Sequence, residues 1–269
     1  MKMAILMTCH NRVEKTVRCL QGLECALAEC KEASYKVFLV DDGSTDGTSA
    51  TVESMFGQSH VRIIQGSGRL FWAKGMRLAW EIAVEEGAWD FYLWLNDDVM
   101  LYPDAIRSVL SDCQKCQGVV VGACRESDCG SISYGATDAE DRKIIPNGTP
   151  QKADGWMNGN FVLVPRDVYQ IVGMISDEYS HARADYDYAE RLRAAEIPFY
   201  SSSGFVGVCH SDFESKISGK LLIQRIGLLW RPGYWNLHDL WIIRSRYHGR
   251  MRAILSCVHL MLIAVRGRG

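Results

Sequence analysis

The sequence predicts an α/β fold in which a mostly parallel central sheet carries helices on both faces. Three observations predict it. Short, β-rich apolar runs recur at residues 3–7, 35–40, 61–64 and 91–95, and each ends in polar loop chemistry. Between these runs lie segments with helical apolar spacing. The runs are continuous rather than alternating, which is how strands covered on both faces read. In such sheets ligands bind beyond the carboxyl ends of the strands, so the loops after Met7, Val40, Ile64 and Leu95 carry the interest.

Taken in order, residues 3–7 form the first strand; the stretch is too short for a signal-peptide core and lacks a cleavage site. Residues 13–29 put Val17, Leu20, Leu23 and Leu27 on one helical face. The strand at 35–40 leads into Asp41-Asp42-Gly43-Ser44, and the strand at 61–64 precedes a second long helix over 72–86. The fourth strand, 91–95, runs straight into Asn96-Asp97-Asp98. The second half is less regular. Strands are expected at 119–123 and 161–165, with a polar, glycine-containing excursion at 127–150. Helices are expected from 167–172 and over 185–195. Pro232 and Gly233 interrupt the tail before a final helix from about Leu237.

Composition bounds the function. With 269 residues, 48% of them hydrophobic and only six proline, the chain suits a folded core of one large or two small domains. Its ten cysteines are scattered, and Cys9, Cys209 and Cys257 sit in apolar runs. Cys113 and Cys116 read C-x-x-C, but no second ligand pair follows at zinc spacing. Free thiols in a reducing cytoplasm are expected. The longest apolar stretch near the end, 253–265, has thirteen residues, short of the roughly 18 that suggest a membrane span. The net charge of −2 hides an asymmetry: residues 216–269 hold ten Lys/Arg and one acid, Asp239, beside an acidic body.

Adjacent carboxylates at the mouth of a buried strand repel one another and need a counter-charge. For Asp97 and Asp98 a hard divalent cation would supply it, since Mg²⁺ takes one or two carboxylates plus substrate phosphates. The same acids would also cap the helix that Pro103-Asp104-Ala105 begins. Asp41 and Asp42 suit hydrogen bonds from a base or ribose, or an ordinary turn before a capped helix.

Together, Thr8-Cys-His-Asn-Arg12, Val40-Asp-Asp-Gly-Ser-Thr-Asp46 and Leu95-Asn-Asp-Asp98 resemble the family 2 glycosyltransferases. Gly155-Trp-Met-Asn-Gly-Asn-Phe-Val-Leu-Val-Pro-Arg166 and Ala184-Asp-Tyr-Asp-Tyr-Ala-Glu-Arg191 extend the resemblance in the expected order. It covers residues 3 to about 211, and Phe71-Trp-Ala-Lys-Gly-Met-Arg77 with Asn158-Gly-Asn160 is similar to a rhamnosyltransferase-like branch of bacterial surface polysaccharide synthesis. The resemblance implies the GT-A fold, with a Rossmann-like sheet, over residues 1–215, and a basic helical extension over 216–269. Within that domain, 1–100 would be the nucleotide-binding half and 101–215 the acceptor and catalytic half.

The resemblance also implies roles. Thr8, His10, Arg12, Asp41, Asp42, Gly66, Trp72, Ala73, Asn96 and Asp97 would line the nucleotide and donor site. Asp98, with His210 completing the shell, would hold Mn²⁺ or Mg²⁺. Asp185 would be the catalytic base, and Trp156, Asn158, Gly159 and Tyr186 would meet the acceptor. Two departures stand out. Ala184 occupies the place where the family often has Glu, which makes Asp187 a rival base; and Arg77 stands near the usual asparagine of the helix after the third strand. On a helix Asp185 and Asp187 would point about 200° apart; on a strand they would share a face.

The implied reaction is inverting transfer from a dTDP- or UDP-sugar to a glycan or lipid-linked glycan hydroxyl, without a covalent intermediate. Arg244, Arg246, Arg250 and Arg252 before residues 253–265, and Arg266 and Arg268 after them, suit a peripheral helix on an anionic membrane at the cytoplasmic face. Core packing or a second copy in a homodimer are the other partners considered for this helix, and nothing suggests nucleic acid. A sugar nucleotidyltransferase would want a glycine-rich loop after the first strand, and Thr8-Cys-His-Asn-Arg12 has no glycine. A non-catalytic nucleotide-sugar or glycan-binding module is the remaining alternative.

Overall fold

The computed structural model describes residues 1–30, 34–57, 60–211, 220–233 and 235–266. Strand β1 (Lys2–Cys9) lies between β2 (Ser34–Asp41) and β4 (Phe91–Leu95), parallel to both, with β3 (Val61–Gln65) outside β2. Met3 to Met7 are completely buried, the reason this stretch is continuously apolar. The register pairs Cys9 with Asp41, so the loops after β1 and β2 leave the sheet level with each other.

The second half of the sheet is mixed. β9 (Phe161–Pro165) inserts antiparallel between β4 and β6 (Val119–Arg125), and β10 (Phe199–Val208) runs parallel to β6. Beyond β10 lies β5 (Met100–Leu101), antiparallel to it, while β7 (Ile132–Tyr134) and β8 (Gln151–Ala153) pair with β6 and β10 off the main path. Because β9 opposes β4, Leu95 pairs with Phe161, and Asn96 donates its backbone N–H to the carbonyl of Asn160 at 2.9 Å. That crossing brings Gly159-Asn160 beside Asn96-Asp97-Asp98.

Helices cover both faces. α1 (Val13–Ala28), α2 (Thr48–Phe56) and α4 (Ala105–Cys116) enclose one core with Leu20, Leu23, Ile106 and Val109. α3 (Phe71–Glu86), α5 (Arg166–Val172) and α6 (Ala184–Ala194) enclose the other, where Trp80, Trp94 and Tyr188 are fully buried and meet edge-on or tilted. α2 was not assigned from sequence because it buries only Thr48, Val52 and Phe56 over nine residues. All ten cysteines are thiols, and Cys113 donates within its own turn region to the Gly118 carbonyl.

The tail differs from its expectation. The single helix from Leu237 is two, α8 (Leu237–His248) and α9 (Arg250–Arg266), after a short α7 (Leu222–Leu228). Gly249, at φ +86, makes the break; only glycine takes that left-handed conformation freely. α8 and α9 pack together over a small core of Leu229, Leu240, Leu260 and Ala264, and Ile243 of α8 joins the main core. The expected 215/216 domain boundary lies outside the described residues, as does Arg268. No helix among the described residues is long and apolar enough to cross a membrane.

Candidate active site

The loops after β1 and β2 are fastened to each other. Asn11, itself at φ +50, donates its N–H to Ser44 at 2.8 Å and accepts from the Thr45 N–H at 2.7 Å. Asp46 accepts from the Val13 N–H at 3.0 Å, and His10 Nδ1 meets the Asp42 carbonyl at 2.7 Å. The two expected base-binding acids serve the backbone. Asp41 accepts from the Ser44 N–H and the Ser49 hydroxyl, and is 2% exposed. Asp42 accepts from the backbone of Gly68, Leu70 and Phe71 at 2.7–2.9 Å, fixing the loop that leads into α3. Gly66 lies against Asp42, where a Cβ would sit 2.7 Å from Oδ1. Ala73 is fully buried behind this loop.

A cleft of ≈ 380 Å³ opens above these loops. Thr8, His10, Arg12, Asp42, Trp72, Asn96, Asp97 and Asp98 line it together. Asp97 is 4% exposed, and burial pushes its carboxyl up to about 6 despite the nearby guanidinium of Arg12. One nitrogen of Arg12 bridges the pair, 3.0 Å from Asp97 Oδ1 and 3.0 Å from Asp98 Oδ2. The guanidinium meets the demand for a counter-charge that the sequence poses. With Arg12 displaced, the two carboxylates are the donor set that a divalent cation takes when substrate phosphate oxygens complete its shell. No group of three His, Cys, Asp or Glu residues converges for a metal among the described residues. His210 does not join Asp98 in the cleft. It is 69% exposed and turned toward Glu126, with Nδ1 at 4.0 Å, because β10 ends two residues earlier at Val208 and Cys209 takes the inward position against Asp98.

Asp185 stands at the first turn of α6. Its carboxylate accepts from the N–H of Gly159 at 3.0 Å and of Tyr186 at 2.9 Å, and it has no salt-bridge partner among the described residues. Burial pushes it up to about 6, with the backbone N–H groups opposing. Gly159 makes this possible: a Cβ there would meet the Trp72 ring at 2.4 Å. Trp72 in turn donates to Asn96 Oδ1 at 2.7 Å. A single chain of contacts thus runs from the residue before the acid pair, through Trp72 and Gly159, to Asp185.

The helix turns the two rival acids in different directions. Asp187 is completely buried, accepting from the hydroxyls of Tyr179 and Tyr247 and from Arg191 and Arg246 at 2.8–3.1 Å. It faces the core and is engaged on all sides. Arg77 is also structural, bound to Glu81 and to the Ile175 carbonyl.

Trp156, Asn158 and Tyr186 line a neighbouring pocket of ≈ 550 Å³, and Tyr134 belongs to both cavities. Trp156 and Tyr186 stack at 5.0 Å. Sequence reading missed several cleft residues: Phe71, Tyr134, Asn160 and His181. Phe71 carried a signal, since an aromatic residue opening a helix next to a glycine-bearing loop is exposed at 40% and held at φ +56. Asn160 stood within the Asn158-Gly-Asn160 motif without an assigned role, and Tyr134 and His181 arrive from distant segments and had no local signature.

The family model described as Glycosyl transferase family 2 matches residues 4–171. Among curated proteins, none matches the chain. The chain is similar in structure to the mannosyltransferase PcManGT from Pyrobaculum calidifontis in complex with GDP-Man and Mn²⁺, at TM-score 0.62 and 13% identity, covering 99% of this chain and 73% of that one. It is also similar to S. aureus TarS 1-349, at TM-score 0.57 and 14% identity, covering 98% and 81%. The TarS complex with UDP-GlcNAc gives TM-score 0.59 at 13% identity, over 98% and 82%. At such identities the likeness carries the fold, which is the GT-A arrangement with a C-terminal helical tail.

Proposed function

Since the chain belongs to glycosyl transferase family 2, we propose that it moves a sugar from a nucleotide diphosphate donor to an acceptor hydroxyl with inversion. The single observation that carries this reading is Asp185, a carboxylate fixed by two backbone N–H groups and linked through Gly159 to Trp72, which lines the cleft that holds Asp97 and Asp98. The donor is a dTDP- or UDP-sugar, and the acceptor a glycan or lipid-linked glycan of cell-surface polysaccharide synthesis, in keeping with the rhamnosyltransferase-like motifs. The solved neighbours in complex with GDP-Man and UDP-GlcNAc support a nucleotide-sugar donor.

The loops of Thr8–Arg12 and Asp42 hold the nucleotide end, pre-set by the bonds among Asn11, Ser44, Thr45 and Asp46. Asp98, with Asp97 beside it, would hold Mn²⁺ or Mg²⁺ against the donor diphosphate, and the bound cation would offset charge on the leaving group. Asp185 takes the proton from the acceptor hydroxyl as that oxygen attacks the anomeric carbon. A value near 6 leaves it ionised at neutral pH yet basic enough to accept. One displacement on the face opposite the leaving group inverts the centre, and needs no covalent nucleophile. Trp72 and Phe71 wall the cleft against water, which would otherwise hydrolyse the donor.

The tail is read as a membrane contact. Leu222, Ile223 and Ile226 of α7, Trp230, and Met251, Leu255 and Val265 of α9 are exposed apolar side chains. Around them the tail offers only cations, because its one acid, Asp239, is fully buried. An anionic bilayer complements that surface, whereas a second copy would oppose basic with basic.

Nucleotide sugars screened for thermal stabilisation and hydrolysis test the reading. A dTDP- or UDP-sugar should stabilise the protein only with Mn²⁺ or Mg²⁺, and Asp98→Ala should abolish this. Turnover untouched by a chelator would overturn the metal assignment. Failure of every nucleotide sugar to stabilise or react would overturn the reaction.

A further inference from the structure

The tail helix α8 grips the segment that leads into α6 at several points. Arg246 bonds to Glu178 and Asp187, and Tyr247 donates its hydroxyl to Asp187 at 2.8 Å. Those contacts join side chain to side chain. Asp239 instead takes hold of backbone. Its carboxylate is completely buried in the first turn of α8. It accepts from the Ser180 N–H at 3.2–3.3 Å, from the Ser180 hydroxyl at 2.8 Å and from the His181 N–H at 3.4 Å. The exposed ring of His238 approaches it at 3.4 Å. An acid in a first turn commonly serves the end of its own helix. Here Asn236 does that work, accepting the Asp239 N–H at 2.9 Å, so the Asp239 carboxylate is directed across 59 residues of sequence.

What it holds is a tight turn. His181 bridges to Arg183, and Arg183 takes φ +75 as the residue that begins α6. A non-glycine residue keeps that left-handed conformation only where its surroundings impose it. Arg183 makes no side-chain cap, so the start of α6 is not fixed by its own capping residue. Two residues further on stands Asp185, aimed by the N–H groups of Tyr186 and Gly159. The same turn also serves both cavities, since His181 lines the cleft and Arg183 and Tyr186 line the second pocket.

We propose that Asp239 is a positioning residue of the transfer: by fixing the turn at 180–183 it sets where α6 begins and so aims the carboxylate of Asp185. The inference rests on Asp185 being the base of the proposed transfer. Displacement of a reacting group by about 1 Å costs roughly 10²-fold, so a turn that slackens by that much matters. Asp187 fastens the body of α6 through side chains, and Asp239 fastens the turn before it. The tail then belongs to the active site, beyond any contact it makes with a membrane.

Hydrogen exchange of the full chain without ligand, read by mass spectrometry, tests the grip directly. The amides to follow are those of Tyr186 and Gly159, because both donate to Asp185 and Gly159 lies 26 residues from it in sequence. In Asp239→Ala, residues 178–187 and Gly159 should exchange about tenfold faster, while β1, β2 and β4 keep their protection. Asp239→Asn should restore most of that protection, since an amide oxygen at the Oδ2 position still accepts from Ser180 and His181. Ser180→Ala removes the hydroxyl bond alone from a half-buried position and should give a smaller acceleration, about two- to fivefold. Kinetics supply the second reading. With the nucleotide sugar that the stabilisation screen selects, kcat of Asp239→Ala should fall about 10- to 100-fold and the donor Kd should stay within about threefold. Faster exchange confined to the tail and residues 178–183, with Gly159 and Tyr186 protected as before, would mean a purely structural tie and overturn the proposal. Unchanged kcat in Asp239→Ala beside an inactive Asp185→Asn would overturn it too, and leave the base assignment standing. Full transfer by Asp185→Asn is the separate failure of the base, and takes this inference with it. Should Asp239→Ala exchange faster throughout, Ser180→Ala decides, and unaltered Gly159 exchange there overturns the proposal.

Discussion

The two cavities that meet at Tyr134 differ in their linings. The first cleft holds Asp97 and Asp98, both bonded by Arg12, while the second pocket is lined among the described residues by Lys143, Arg183, Arg244 and Asp141. Their origins differ as well. The cleft is made by loops at the ends of neighbouring parallel strands, whose positions follow from strand register. The pocket is made by an off-path strand, the turn before α6 and the tail helix α8, which only tertiary packing brings together. The difference teaches that strand register alone places the acids of the first cleft, whereas the second pocket depends on the packing of segments far apart in sequence. Asp185 lines neither cavity directly; Gly159, whose N–H it accepts, lies between Asn160 of the first and Asn158 of the second.

The comparison breaks most sharply at Asp185. Asp185→Asn keeps the size of the side chain and removes the base. Transfer should fall by about 10²–10⁴-fold, the usual contribution of a general base, while metal-dependent donor stabilisation persists. In the unaltered protein, kcat at saturating donor and metal should rise about tenfold per pH unit below about 6 and level off above it, because only the ionised carboxylate accepts a proton. Retained transfer in the variant, or a pH profile flat from 5 to 8, would remove Asp185 from its role.

Asp187 sharpens the contrast, since two residues of sequence separate the proposed base from a structural acid. Removing its carboxylate strips partners from Arg191, Arg246, Tyr179 and Tyr247. Asp187→Ala should cost about 3 kcal/mol of stability, the low end for a broken buried ion pair because both arginines keep some exposure to water. Denaturant titration measures it. The variant that stays folded at low temperature should still turn over; a loss of transfer without a loss of stability would reinstate Asp187 as the base.

These two acids show what the sequence makes legible. Buried parallel strands leave continuous apolar runs, so β1, β2, β3 and β4 and the acids after them could be read directly. The choice between Asp185 and Asp187 reduces to helix or strand, and helix periodicity then turns one outward and the other inward. The turn that Asp41 makes with Ser44 was among the readings the sequence offered, whereas the bonds of Asp42 were not legible, because they reach the backbone of a loop 26 to 29 residues away that no side-chain pattern encodes. The antiparallel insertion of β9 was hidden too, since its apolar run, Phe-Val-Leu-Val, reads the same in either direction. Lys143 and Arg244 lie about a hundred residues apart, and their convergence is a product of the whole fold. The break between α8 and α9 did carry a signal, Gly249, inside an otherwise helical stretch.

Gly159 joins the two cavities, and a methyl group there tests the joint. The new Cβ would fall 2.4 Å from the Trp72 ring, which cannot stay both bonded to Asn96 and packed over residue 159. The displaced backbone would also shift the N–H that orients Asp185. Misplacement of a reacting group by about 1 Å costs roughly 10²-fold, so Gly159→Ala should lower kcat by about 10- to 100-fold. The Kd for the donor should move less, because the nucleotide loops lie on the far side of Trp72. A variant with unchanged kcat would show that the contact chain from Asn96 to Asp185 does not govern the chemistry.

The smallest expected effect on the enzyme itself lies in the tail. Leu255, Val258 and Leu262 of α9 are 61%, 43% and 44% exposed, so replacing all three with Ser removes little packing. Surface changes of this kind usually alter stability by no more than about 0.5 kcal/mol each, and turnover of donor with a soluble acceptor should be unchanged. Cosedimentation with vesicles containing anionic lipid should nevertheless fall steeply, because these side chains supply the apolar part of the contact and the neighbouring Arg250, Arg252 and Arg266 only its electrostatic part. Raising the salt concentration should weaken the unaltered protein's binding without abolishing it, since screening acts on the arginines and not on the apolar face. If the triple variant loses stability instead and binds vesicles as before, α9 packs against protein and the membrane reading of the tail fails.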